Sequence, residues 1–143
     1  AEYQVWGDPA GDQRAQTDET TPFQILRARG IKARPAPSND FTLRREAVAT
    51  PLSRLVDGEP GLLISPTCTS LRKAMGGGYC YKRIQVSGDE RFHDKPDKNQ
   101  YSHVADAAQY LMLGAGEGRA ILKHHTPGPS KTIQADQGWS VFG

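Results

Sequence analysis

The 143-residue sequence predicts an α/β fold, a mixed sheet flanked by helices. Three observations carry that reading. Apolar segments at Tyr3-Gln4-Val5-Trp6 and Ile31-Lys32-Ala33-Arg34 bracket a capped helical segment, the strand, helix, strand order of a parallel pair joined by a crossover. Short strand-like and helix-like segments then keep alternating along the chain. The last of them, Ser102 to Met112, reads as a helix whose Val104, Ala107, Ala108 and Leu111 follow i, i+3, i+4, i+7 and supply an apolar stripe. The length suits one domain around one core.

Composition narrows the class further. Hydrophobic residues make up 36% of the chain, with 15 Gly and 10 Pro, which predicts long loops or an open tail. A formal net charge of +2 gives no global pull toward nucleic acid and leaves only a local basic face. Cys68 and Cys80 lack the spacing of a zinc site and do not make a disulfide framework, so a reduced, cytoplasmic setting is expected. No segment resembles a secretory leader, and no apolar run approaches the roughly 18 residues of a membrane span. The chain starts directly on a strand-like segment without Met, as expected of a piece of a longer protein.

The elements follow in order. The first strand ends at Gly7-Asp8-Pro9-Ala10-Gly11, and a polar loop runs from Asp12 to Thr20. Thr21 caps a helix with Pro22 at its first position, Phe23 and Leu26 on its inner side and Gly30 as its stop. Pro35 and Pro37 close the strand after it. Asn39 or Asp40 caps the next helix, about Phe41 to Val56, with Leu43, Val48, Leu52 and Leu55 as its apolar side; Pro51 should kink it or restart it. Its Arg44, Arg45 and Arg54 read either as a solvated face or as a strip facing phosphate. Asp57 to Gly61 is a turn, Leu62-Leu63-Ile64-Ser65 a short buried strand, and Ser70 to Met75 a short helix. Gly76-Gly77-Gly78 is not a phosphate-binding loop, because no G-K-[ST] follows; a hinge or a tight approach suits it better. Tyr79 to Val86 and Glu90 to His93 form a hairpin around Ser87-Gly88-Asp89. Asp94 to Gln100 is a charged loop leading into the Ser102 helix, which Ser102 caps and Gly114 stops. Residues 117–143 read as a linker-like tail: His124-His125 as an exposed pair, and Trp139-Ser140-Val141-Phe142 as a segment apolar enough to dock on this domain or a partner.

Chemistry is sought where two ends of the chain can meet. Asp8 follows a central strand at the end where open α/β sheets place their sites. Its bland role is to cap local N–H groups in a turn. His103 and Asp106, three apart on the last helix, are blandly two solvated polar residues. A helix packed across the sheet can bring both to the tip of the Asp8 strand. Two carboxylates and an imidazole there suit a hard divalent ion, Mg²⁺ or Mn²⁺, of the kind that activates water for phosphodiester hydrolysis.

Gly7-Asp8-Pro9-Ala10-Gly11, then Thr17-Asp18-Glu19, then Lys95 to Gln100, then Ser102-His103 with Asp106-Ala107 and Tyr110-Leu111, resemble in order and spacing the C-terminal nuclease domain of the large terminase subunit of tailed bacteriophages. The resemblance runs from about Tyr3 to Gly116. It implies an RNase H-like fold, here a partial domain over residues 1–116 that lacks its first strands. It also implies a Mg²⁺- or Mn²⁺-dependent endodeoxyribonuclease that cuts concatemeric viral DNA during packaging. The implied partners are double-stranded DNA and, in the full-length protein, an ATPase domain, the small terminase subunit and the portal. The implied location is the cytoplasm of an infected or lysogenic bacterial host.

Carried over residue by residue, Asp8 matches the acid on a later central strand and Asp106 the acid on the closing helix. His103 matches a position where some relatives hold metal or take a proton. Lys95 and Lys98, with Arg44 and Arg45, are the residues expected to meet the DNA backbone. An RNase H-like site also needs a first-strand aspartate, which nothing upstream of Asp8 supplies. In another register Asp8 is that residue, and Asp57 or Glu59 becomes the second acid; the capped helix directly after Asp8, with no hairpin signal, favours the former. The alternatives are a non-catalytic module that docks on DNA or the portal, a junction-resolvase-type nuclease, and a nucleotide-binding domain, the last opposed by the absence of G-x-G-x-x-G.

Overall fold

Thr21 and Gln24 set the first helix by reciprocal hydrogen bonds. The Gln24 N–H donates to the Thr21 hydroxyl at 3.2 Å, and the Thr21 N–H donates to the Gln24 side-chain oxygen at 2.8 Å. In the computed structural model, which describes residues 2–12, 20–85 and 87–118, this helix, α1, spans Pro22–Ala28. Expectations for Thr17-Asp18-Glu19, for Val86, for the His124-His125 pair and for Trp139-Ser140-Val141-Phe142 lie outside the described residues.

α1 ends as its sequence predicts. Gly30 adopts φ +81°, and the N–H groups of Gly30 and Ile31 donate back to Arg27 and Leu26 carbonyls. This closure needs a left-handed residue at the turn, which glycine adopts without strain. The helix connects β1 (Val5–Gly7) to β2 (Ala33–Pro35), and the two strands pair in parallel with Val5 opposite Ala33. The expected crossover pair is therefore present. The Phe23 ring lies against Gly7 and Gly11, where an added Cβ would stand 3.3 and 3.1 Å from it. The two glycines thus admit an aromatic ring of the core.

Asp40, not Asn39, caps α2 (Phe41–Ser53), accepting the Leu43 N–H at 2.9 Å. The helix stops at Ser53, short of Val56, with Pro51 buried in its last turn. Leu55–Val56 leave it to form β3, which pairs antiparallel with β4 (Glu59–Pro60). The expected apolar side is only partly used. Leu43 and Ala47 are buried, whereas Leu52 and Leu55 are exposed, because the helix presents its Leu43 and Ala47 edge to Leu113 of the last helix.

Leu62 to Ser65 is not a strand, and Leu63 is 76% exposed. Leu62, Leu63 and Ile64 instead wall an apolar groove completed by Leu71, Met75 and Leu111. α3 (Thr69–Lys73) runs into a wide helical turn over Ala74–Gly78. A Cβ on Gly78 would stand 2.6 Å from the Tyr101 ring, so the last glycine of the run serves a tight approach, while Gly77, at φ +120°, serves the turn itself. β5 (Tyr81–Ile84) and β6 (Arg91–Pro96) form the expected antiparallel hairpin, and β6 extends into what reads as loop from the sequence. Among the described residues the strands form three separate two-stranded ladders, not one mixed sheet.

α4 (Ser102–Gly114) packs on α2 and on β1. Its start is organised by Asn99: the Tyr101 N–H donates to the Asn99 side-chain oxygen, and the Ser102 hydroxyl donates to the Asn99 carbonyl at 2.7 Å. Ser102 is thus inside the helix and Tyr101 stands at its cap. The helix face also differs from the expected one. Ser102, Ala105, Gln109, Tyr110 and Leu113 are buried, while Ala107 and Leu111 are exposed. Hydropathy misled here because the buried face carries polar groups, of which the Ser102 hydroxyl, the Gln109 amide nitrogen and the Tyr110 hydroxyl find partners inside. Gly114 is the final helical residue, lying so close to Trp6 that a Cβ would overlap the indole. The reversal itself falls at Gly116, φ +97°, where Gly116 and Glu117 N–H groups donate to Leu113 and Met112 carbonyls. No helix of the described residues is long and apolar enough to cross a membrane.

Candidate functional site

Four chain regions converge on one cleft of about 600 Å³. The end of β1 brings Asp8, the start of α2 brings Asn39, Asp40 and Arg44, β6 and the loop after it bring Asp94, Lys95 and Lys98, and α4 brings Asp106 and Tyr110. The spacing that carries the last pair is simple: positions 106 and 110 are one helical turn apart and share a face. The N-terminus of α2 opens onto the same cleft through Phe41 and Thr42, adding the partial positive charge of a helix start.

Asp106 is the best-connected group. Its Oδ1 accepts from Arg44 Nη1 at 3.1 Å and from the Tyr79 hydroxyl at 3.3 Å, and its Oδ2 accepts from Lys98 Nζ at 2.9 Å. The partners differ in burial: side-chain exposure is 10% for Arg44, 16% for Asp106 and 76% for Lys98. Arg44 is also held by ring faces, its guanidinium carbon 4.8 Å from the Tyr110 centroid and 5.8 Å from that of Phe41. Arg44, read from sequence as part of a solvated face or a strip facing phosphate, is therefore a largely buried counter-ion to Asp106. The Tyr79 hydroxyl also accepts from Gln109 at 3.4 Å, and burial pushes the Tyr79 phenol upward.

Asp8 combines two roles. Its Oδ1 accepts the Ala10 N–H at 2.9 Å, the local turn cap expected of it, and its carboxylate lines the cleft beside Tyr110. The Tyr110 hydroxyl donates to the Asn39 side-chain oxygen at 2.6 Å. Burial raises its pKa to about 12; the Arg44 charge opposes that rise and the Asp8 carboxylate adds to it. The phenol binds its proton more tightly folded than unfolded, so its contribution is complete below the ordinary tyrosine pKa of about 10. It is lost as pH rises through about 12. Chemical melts between pH 9 and pH 12 should therefore show stability falling with pH, and Tyr110→Phe should flatten that slope while lowering the plateau by about 1 kcal/mol.

His103 is exposed and does not line the cleft, so the metal role expected of it has no support in its position. Arg45 is likewise outside, bound to its neighbour Glu46 at 2.9 Å and to the Tyr81 hydroxyl at 3.4 Å. Asp57 and Glu59 sit in the exposed β3–β4 hairpin and do not line the cleft. Reading the sequence missed Asn39, Asp94 and Tyr110 as cleft residues. Only Tyr110 carried a usable signal, its one-turn offset from Asp106.

Asp8 and Asp106 offer carboxylate oxygens, the donors that Mg²⁺ and Mn²⁺ take. Among the described residues, no three His, Cys, Asp or Glu side chains are grouped closely enough to hold an ion by themselves. Two carboxylates still fit Mg²⁺, which commonly uses one or two from the protein and fills its shell with water and substrate phosphate. No protein-family model, curated protein or solved structure matches the chain.

Proposed function

We propose that this chain is part of a metal-dependent DNA endonuclease, the nuclease domain of a viral DNA-packaging terminase, with its α/β unit the later portion of an RNase H-like domain. One observation supports this most: Asp8 and Asp106, almost a hundred positions apart, line a single cleft together with Arg44, Lys95 and Lys98. Acids for a cation and bases for a phosphate in one cleft suit hydrolysis of a charged diester.

In this reading Lys95 and Lys98 take the DNA backbone, giving binding that is weakly sequence-specific and strongly salt-dependent. Asp8 and Asp106 would hold Mg²⁺ or Mn²⁺ in the cleft. The ion supplies activation of water and neutralisation of charge on the leaving oxygen. Arg44 fixes one Asp106 oxygen from the buried side. Tyr110, protonated at any working pH, secures Asn39 beside Asp8. The proposed setting is the bacterial cytoplasm, with the ATPase domain, the small terminase subunit and the portal as partners of the whole protein.

Nicking of supercoiled plasmid in Mn²⁺ tests this. Asp8→Asn should lower the rate at least about a hundredfold, and Asp106→Asn likewise, because each removes a ligand worth several kcal/mol of transition-state stabilisation. Circular dichroism melts check that the Asp8 variant keeps the fold. Unchanged nicking by both variants sinks the assignment. The second reading, a non-catalytic module docking on DNA or portal, is favoured by the charge compensation of Asp106 by Arg44 and Lys98. It gains if the unaltered chain binds duplex but leaves plasmid intact.

A further inference from the structure

We infer that Lys98 is an exchangeable latch on Asp106, released by DNA phosphate, so that cation loading and DNA binding strengthen each other. The inference rests on the nuclease reading and adds how its site is regulated. The geometry divides the Asp106 carboxylate into two unequal halves. Oδ1 faces Arg44, which is buried and pinned by the Tyr110 and Phe41 rings, and Tyr79. Oδ2 faces Lys98, whose side chain is 76% exposed and whose ammonium stands 2.9 Å from it.

Oδ1 already accepts two hydrogen bonds, so Oδ2 is the oxygen more open to a divalent cation, and there the ammonium stands. Two cations a few ångströms apart repel strongly in a part-buried site. The ion must therefore displace Lys98. An exposed ion pair is worth little, so the latch is weak enough to open. Its flexible four-carbon stem lets the ammonium swing without moving the backbone. A backbone phosphate entering the cleft offers Lys98 a new anion and offers the ion a further oxygen ligand. Both effects free Oδ2 and fill the cation's shell together. Without DNA the ion competes against Lys98 and lacks that ligand, so the site stays in its self-neutralised form. Arg44 does not exchange, because leaving Asp106 would strand its charge in the interior.

The measurement is Mn²⁺ binding followed by the electron paramagnetic resonance of the free ion, on the full chain, alone and with a short duplex. The unaltered protein should bind Mn²⁺ at least about tenfold more tightly with duplex present, within the usual range of coupling between sites. Lys98→Gln should tighten DNA-free Mn²⁺ binding about two- to fivefold, the worth of an exposed ion pair, and should shrink the effect of the duplex. Lys95→Gln is the control. It removes the same charge from the same cleft, but Lys95 has no ion pair among the described residues; it should weaken duplex binding and tighten DNA-free Mn²⁺ binding less than Lys98→Gln does. Equal DNA-free affinities in the unaltered protein and in Lys98→Gln overturn the latch, as does equal tightening by Lys95→Gln. Asp8→Asn separates this from failure of the nuclease reading. If Mn²⁺ binding with duplex is lost in Asp8→Asn while Lys98→Gln changes nothing, only the latch falls. If Mn²⁺ binding is absent or indifferent to Asp8, the metal site itself falls and the latch with it.

Discussion

Arg44→Ala should lower unfolding stability by about 3 kcal/mol in a urea melt, since removing one partner of a buried ion pair strands the other. The loss has two parts. The 3.1 Å bond to Asp106 disappears, and so does the cation packed 4.8 Å from the Tyr110 centroid. Lys98 and Tyr79 still reach Asp106, which keeps the penalty toward the lower end of the range for buried pairs. Arg44→Lys restores charge but neither the planar fork nor the stacking, and should recover less than half of the loss. Combining Arg44→Ala with Asp106→Ala should cost less than the sum of the single changes. Strict additivity would show that the pair does not couple α2 to α4. The same substitution should also disturb nicking, so stability and activity need to be read on the same samples.

Leu113→Ala is expected to cost about 3–4 kcal/mol, the usual range for a buried leucine whose cavity only partly collapses. Leu113 is 1% exposed and forms the core with Leu43 and Ala47, with Met112 packed against them. Ala47 is already minimal and lies opposite on α2, so the neighbours have little side chain with which to fill the space. Leu113→Met conserves volume and should cost under about 1.5 kcal/mol. Urea midpoints for the two variants check this. A loss below about 1 kcal/mol for Leu113→Ala would mean that the α2–α4 contact does not hold the fold together. Because that contact also carries Arg44 and Asp106, loosening it should widen the cleft before the chain unfolds globally.

Much of the local structure was legible. The α1 unit from Thr21 to Gly30, the Asp40 cap and the β5–β6 hairpin each depend on residues a few positions apart, so their side-chain and backbone partners are visible in the chain itself. The parallel pairing of β1 with β2 follows from the helix between them. Hydropathy failed where burial was shared with polar groups. Ser102, Gln109 and Tyr110 lie inside and Leu111 lies outside, which no apolar stripe predicts. The Leu62 to Ser65 run has strand composition but finds no partner strand among the described residues, and it becomes a groove wall instead.

The candidate site divides in the same way. Residue type and order nominated Asp8, Asp106, Lys95 and Lys98 as chemistry-bearing, because carboxylates and ammonium groups keep that capacity wherever the chain goes. The sequence also determined where α1 and α2 begin, since caps act over one helical turn. Only the packing of α4 between α2 and β1 decided that Arg44 is buried, that His103 stays outside the cleft and that Lys98 rather than a free edge meets Asp106. The Arg44–Asp106 contact depends on which faces meet across more than sixty residues of chain, and on electrostatic energies that exist only once water has been excluded between them.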